Sequence, residues 1–116
     1  MSFTKETMGD VLVIKLNIRR ATVIESDDFR NFLLRSIEAG WRKIIINLKD
    51  TYFLDSTFLG TIVIALRTVS RLGGDLRIAC ANEDAKNILE ITGAFRVLTL
   101  FNSVEDAVLS FGVNKS

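Results

Sequence analysis

KIIINLKDTYFLDSTFLG, residues 43–60, is the stretch that decides how this chain folds. It begins with Ile44, Ile45 and Ile46 in succession, between Lys43 and Asn47. Alternate side chains of a strand point to opposite faces, so an unbroken β-branched run belongs in a strand covered on both sides, as in a parallel sheet. A polar loop follows, and then Asp55, a preferred helix N-cap, stands just before Leu59, Ile62, Val63, Leu66 and Val69. Those five residues fall on one face of a helix, and Gly73-Gly74 is its natural stop. Strand, loop and capped helix make one half of a βαβ unit.

The same alternation extends in both directions. Upstream, residues 11–17 read as a strand, with a shorter one around residues 3–7. A helix follows, with Ser26 as the expected N-cap, Asp27 and Asp28 in the first turn, and Phe29, Phe32, Leu33 and Ile37 inward. Gly40 ends it. Downstream, a strand is expected over residues 76–81. Asn82 then starts a third helix, which turns Ala85, Ile88 and Leu89 inward and stops at Gly93. Residues 97–101 read as the last strand, and Ser103-Val104-Glu105-Asp106 as a capping box opening a helix that stops near Gly112. After the N-terminal strands the order is α, β, α, β, α, β, α. Right-handed crossovers then predict an α/β fold: a mixed, mostly parallel sheet of four to five strands, with about four helices and an antiparallel N-terminal strand at its edge. No linker, repeat or low-complexity tract interrupts residues 1–116, so a single domain is expected.

Composition narrows the chemistry. Among 116 residues there is no histidine and a single cysteine, Cys80. A Ser/His/Asp triad, a Cys/His dyad and a His-based zinc site are therefore excluded, and no cofactor is implied. With 48% apolar residues, 25% charged ones and a formal net charge of +1, the chain has an ordinary globular composition and no field suited to nucleic acid. Residues 1–10 lack the pattern of a secretory signal, and no apolar run approaches the ~20 residues of a membrane span. A cytoplasmic protein is the expectation.

In open sheets of this class, functional groups gather where strands end and helices begin. Here that place holds Asp50, Tyr52, Phe53 and Leu54, then Asp55-Ser56-Thr57. A hydroxyl in the first turn of a helix lies beside unpaired backbone N–H groups and the positive end of the dipole. A phosphate added there would carry roughly −1.5 to −2 charges, and the dipole would return about 0.3–1 kcal/mol against repulsion from Asp55. Serine and threonine at helix starts usually serve simply as caps, and spacing alone favours that role over a phosphosite.

Residues 44–48, the loop through Phe53-Leu54, and Asp55-Ser56-Thr57-Phe58-Leu59-Gly60 together resemble the signature of the STAS domain family. In the anti-sigma factor antagonists of that family, a hydrophobic strand leads to a D-S-[ST]-G-L-G motif. The similarity continues through Gly73-Gly74-Asp75-Leu76, the Thr92-Gly93-Ala94-Phe95 turn and the terminal helix. The resemblance implies a bacterial phosphoprotein with Ser56 as phosphoacceptor. Its unphosphorylated form would bind an anti-sigma factor that is itself a serine kinase, freeing a sigma factor for transcription. Phosphorylation would weaken that complex, and a serine phosphatase of the metal-dependent type would restore it. The expected partner-binding surface is Asp55, Thr57 and Phe58 beside the acceptor, Tyr52 and Phe53 in the loop, and Arg19 and Arg20 across from them.

Two departures bear on that surface. Phe58 stands where the family usually has glycine, and either packs inward or enlarges the apolar rim of Tyr52 and Phe53. Asn17-Ile18-Arg19-Arg20 replaces a G-x-L-D-like stretch; the arginines either meet a phosphate or acidic partner, or form a solvated turn. A STAS adaptor, scaffold or ligand-binding accessory subunit that does not cycle phosphate is the alternative reading. An enzyme would have to work with Asp, Glu, Lys, Tyr and Ser alone, and no carboxylate pair falls at a telling spacing. Cys80 reads as an inert buried thiol within a strand, and Trp41 as packing.

Overall fold

The computed structural model of the chain describes residues 1–112. Its first two strands, β1 (Phe3–Met8) and β2 (Val11–Leu16), form an antiparallel hairpin in register from Phe3 opposite Leu16 to Met8 opposite Val11. A short strand β3 (Arg20–Ala21) leads into helix α1 (Val23–Glu38). Then come β4 (Lys43–Asn47), β5 (Phe53–Leu54), helix α2 (Ser56–Arg71), β6 (Asp75–Ala79) and helix α3 (Glu83–Ile91). A 3₁₀ turn (Ala94–Arg96), β7 (Leu100–Phe101) and helix α4 (Val104–Ser110) complete the order.

The main sheet runs β1-β2-β4-β6-β7, with β1 antiparallel at one edge and the other pairs parallel. The α/β fold expected from the sequence is therefore the one found. The isoleucine run divides as a strand must. Ile44 and Ile46 join Leu12, Ile14, Leu76 and Ile78 against Phe29 and Leu33 of α1 and Phe58, Ile62 and Val69 of α2. Ile45 joins Val11, Val13 and Ala79 on the other face, under Ala107 and Val108 of α4. All three isoleucines are fully buried, and each such side chain contributes about 1.5–3 kcal/mol relative to an exposed one.

Several boundaries differ from the sequence expectation, each for a local reason. Helix α1 begins before Ser26, because Thr22 and Glu25 form a reciprocal capping box: the Thr22 hydroxyl accepts from Ile24 N–H, and Thr22 N–H donates to Glu25 Oε1 at 2.9 Å. Ser26 is instead buried within the helix, its hydroxyl 2.6 Å from that of Thr61 in α2. The strand expected over residues 76–81 ends at Ala79, and Cys80 follows it, half-buried, with φ +64°. It is not a strand residue. Residues 97–99 are not strand either: the 3₁₀ turn leaves Leu98 N–H on the Ala94 carbonyl at 3.0 Å, which shortens β7 to its last two residues. The Asn82 and Ser103 N-caps are found, accepting from Ala85 N–H and Asp106 N–H, but among the described residues Asp106 does not return the bond that would complete a capping box.

Gly74 shows how tightly the turn after α2 is built. A Cβ there would lie 2.1 Å from the Arg42 carbonyl oxygen, the acceptor for Asp75 N–H. Backbone cannot yield that distance without displacing the start of β6. Gly74→Ala is expected to destabilise the domain by at least ~1–3 kcal/mol, read as a lower urea midpoint with unchanged slope. Gly60→Ala, in open space on α2, is the matched control.

Candidate functional site

The parallel strands bring their C-terminal ends to one rim, and the loop after β4 crosses it. Leu48 N–H donates to the Ala79 carbonyl at 2.9 Å, holding the loop's start against β6. Thr51 is fully buried; its hydroxyl donates to the Ile18 carbonyl at 2.7 Å, and its own carbonyl accepts from the Asn82 side chain at 2.8 Å. The loop is thus pinned to the β2 exit and to the α3 cap before it reaches β5.

β5 then pairs in parallel with β3, Arg20 opposite Phe53 and Ala21 opposite Leu54. This ladder brings together four residues that the sequence placed on one rim. The Arg19 guanidinium lies 4.5 Å from the centroid of the Tyr52 ring, and that of Arg20 lies 4.2 Å from the Phe53 ring. Both arginines are exposed, as is Tyr52, and Phe53 is half-buried.

At the end of the ladder Asp55 N–H donates to the Ala21 carbonyl at 3.0 Å, and the Asp55 carboxylate meets two helix starts. Oδ1 accepts from Phe58 N–H, capping α2, and Oδ2 accepts from Val23 N–H, the first residue of α1, both at 2.8 Å. The positive ends of two helix dipoles therefore converge on this carboxylate.

Ser56 is the first residue of α2 and is exposed, as is Thr57. Among the described residues no acceptor meets the backbone N–H of Ser56 or of Thr57. A shallow cleft of about 250 Å³ adjoins Ser56, lined otherwise by Leu59, Gly60, Val63, Thr92, Gly93 and Ala94. That lining offers hydroxyl and apolar groups but neither acid nor base. A carboxyl held below its ordinary pKa does occur, Asp10, where the Lys43 ammonium lies 2.6 Å away. It sits by the β1–β2 turn, at the N-terminal ends of the parallel strands and away from Ser56. Ser56 therefore presents an exposed hydroxyl at a helix start, beside backbone N–H groups that meet no acceptor among the described residues.

The profile of the STAS domain family matches residues 3–107. This chain belongs to that family. A candidate anti-sigma factor antagonist of Thermotoga neapolitana is 30% identical to this STAS domain over 110 residues, covering 91% of the present chain and 94% of its own. The crystal structure of a candidate anti-sigma factor antagonist from Thermotoga maritima superposes with a TM-score of 0.84 at 24% identity, covering 93% of this chain and 92% of that one. The Bacillus cell fate determinant SpoIIAA, in its phosphorylated form, superposes with a TM-score of 0.70 at 18% identity, over 94% and 98% of the two chains. At these identities the two solved structures speak to the fold.

Phe58 requires a correction. It is fully buried in this STAS domain, its ring stacked on Phe29 at 4.8 Å between centroids and 12° between planes. It therefore cannot belong to an exposed partner-binding rim. Helix α2 is rotated so that Phe58, Ile62, Ala65 and Val69 form its inner stripe, and Val63 and Leu66 lie at its margin. The Thr51 tether and the Ser26–Thr61 pair went unread in the sequence. None of the three hydroxyls carries a pattern beyond its place in the chain.

Phe58→Ala is expected to cost ~3–5 kcal/mol of stability by opening a cavity against Phe29, measured by chemical denaturation. Phe58→Leu, which keeps most of the volume, should recover much of the loss. Equal stability of all three proteins would contradict the buried position.

Proposed function

We infer that this STAS domain is an anti-sigma factor antagonist whose Ser56 accepts a phosphate from a partner anti-sigma factor serine kinase. The observation that carries the reading is Ser56 itself: an exposed hydroxyl at the first position of a sixteen-residue helix, beside two backbone N–H groups that meet no acceptor among the described residues. The names borne by its relatives support the same assignment. On this reading the unphosphorylated domain binds the kinase and releases a sigma factor. Tyr52, Phe53, Thr57, Arg19 and Arg20 form the surface that the partner meets, and Asp55 fixes its geometry.

The chemistry is a phosphoryl transfer in which the kinase supplies what the cleft lacks. Ser56 Oγ forms a bond to the γ-phosphorus of kinase-bound ATP, the bond to the ADP oxygen breaks, and the hydroxyl proton passes to a base on the kinase. The product phosphate finds the free N–H groups and the α2 dipole, worth about 0.3–1 kcal/mol. The Asp55 carboxylate, already accepting from two N–H groups, repels it. The fold tolerates the modification, and the switch operates at the interface. There a tenfold loss of affinity requires only ~1.4 kcal/mol, well within reach of burying a group of roughly −1.5 to −2 charges. A metal-dependent serine phosphatase then resets the cycle. With Phe58 inside the core, the departure that favoured a non-cycling adaptor no longer alters the rim.

The test is incubation of the domain with ATP and candidate anti-sigma kinases from the same genome, reading mass and binding in parallel. A single phosphate should appear on the wild type, vanish in Ser56→Ala and be absent from Ser56→Asp, which should also bind the kinase at least tenfold more weakly. Three unmodified proteins that bind every candidate alike would refute the phosphocycle.

A further inference from the structure

The outward side of α2 does not end at the Ser56 cleft. Gly60 and Val63, which line that cleft, are followed at helical spacing by Arg67, Ser70 and Arg71. Val63, Arg67, Ser70 and Arg71 form one wall of a hollow of about 500 Å³ whose other wall includes Val97 and Thr99, on the segment entering β7. A second hollow of about 460 Å³ shares Val97 and Thr99 and is bordered by Lys86 and Arg96. Together they form a trough along the free edge of the sheet.

Three features of the trough point to one class of occupant. First, it is cationic: Arg67, Arg71, Lys86 and Arg96 are exposed, and none of them takes part in the ion pairs found among the described residues. Of the carboxylates on its border, Asp75 is held by Arg77 at 2.9 Å, which leaves Glu90 against four cations. Secondly, it exposes large apolar side chains, with Val97 51% and Phe95 48% exposed. Thirdly, it carries an open backbone edge. Ile78 N–H and Cys80 N–H donate to the Thr99 and Phe101 carbonyls. Because main-chain groups alternate along a strand, the N–H and C=O of Leu100 point away from β6, outward.

We propose that this trough is a docking site for an extended acidic segment of a partner protein. The segment's main chain adds to the edge at Leu100, its carboxylates meet Arg67, Arg71 and Arg96, and an apolar side chain covers Val97. From Val63 to Arg71 the helical wall is about 12 Å long, which an extended chain spans in about four residues. The site is independent of phosphorylation at Ser56.

The test uses the whole chain labelled with ¹⁵N and, as probe, a synthetic peptide of alternating glutamate and valine, with a lysine–valine peptide and inorganic phosphate as comparators. The glutamate peptide should shift the amides of residues 97–100 and bind at least tenfold more weakly to the Arg67→Glu/Arg71→Glu variant. Ser56→Ala should bind it like the wild type, which separates this site from the phosphocycle. The charge-reversed positions are exposed, and an unchanged melting curve verifies the variant's fold. Absence of shifts at millimolar peptide, equal binding of the lysine peptide, or full affinity in the variant would overturn the proposal. Phosphate reproducing the same shifts at the same concentration would replace it with a small-anion site.

Discussion

One carboxylate organises the functional end of this domain. Asp55 accepts from the first N–H of α1 and from Phe58 N–H in α2, so the two helix starts are fixed relative to each other through a single side chain. Charge-assisted bonds of this kind are shorter and stronger than neutral ones. The next residue inherits that rigidity: Ser56 is attached to a backbone whose N–H at Asp55 is tied to Ala21 and whose first helical turn is capped. Behind it, the stacked Phe29 and Phe58 rings fill the space between the same two helices, and the Ser26–Thr61 hydroxyl pair closes the contact. Ser56 is therefore presented by a rigid corner, although it lies at the end of a loop.

The β3–β5 ladder does comparable work on the other side of Asp55. Two residues in each strand would not hold together alone. They persist because Thr51 anchors the loop to the β2 exit and because Arg20 lies over the Phe53 ring within the ladder and Arg19 over the Tyr52 ring just before it. A guanidinium lying on a ring keeps its planar edge free for donors elsewhere while losing much of its rotamer freedom. The rim is thus ordered and still polar.

Much of this was legible in the sequence because it followed from local rules. Ile44–Ile46 marks a doubly covered strand, Asp55, Asn82 and Ser103 mark helix starts, and Gly73-Gly74 marks a stop. The position of the Asp-Ser-Thr stretch on the rim was readable because the strand–loop–helix order puts it there. What escaped depended on tertiary context. Thr22 outcompetes Ser26 as a cap through its reciprocal bond with Glu25, a pattern present in the sequence but overshadowed by the neighbouring Asp27 and Asp28. Phe58 and Leu59 are adjacent, and periodicity does not fix which of two neighbours leads the inner stripe; packing against Phe29 does. Strands as short as β3 and β5 have no period to detect. The left-handed turn at Cys80 and the 3₁₀ turn before β7 are set by how α3 and the last crossover meet the sheet.

The hairpin at the other edge has a consequence for crowding and solubility. β1 leaves six residues of strand unpaired on its outer side, which is a ready template for a second copy. Two identical strands that add antiparallel about a two-fold axis must match residues of the same face. For β1 the most overlapping registers of that kind set Lys5 opposite Lys5 of the other copy, or Glu6 opposite Glu6. Like charges directly across a ladder repel, so Lys5 and Glu6, adjacent at the middle of β1, guard the edge against its own sequence. This edge is in this way kept from pairing with its own copy.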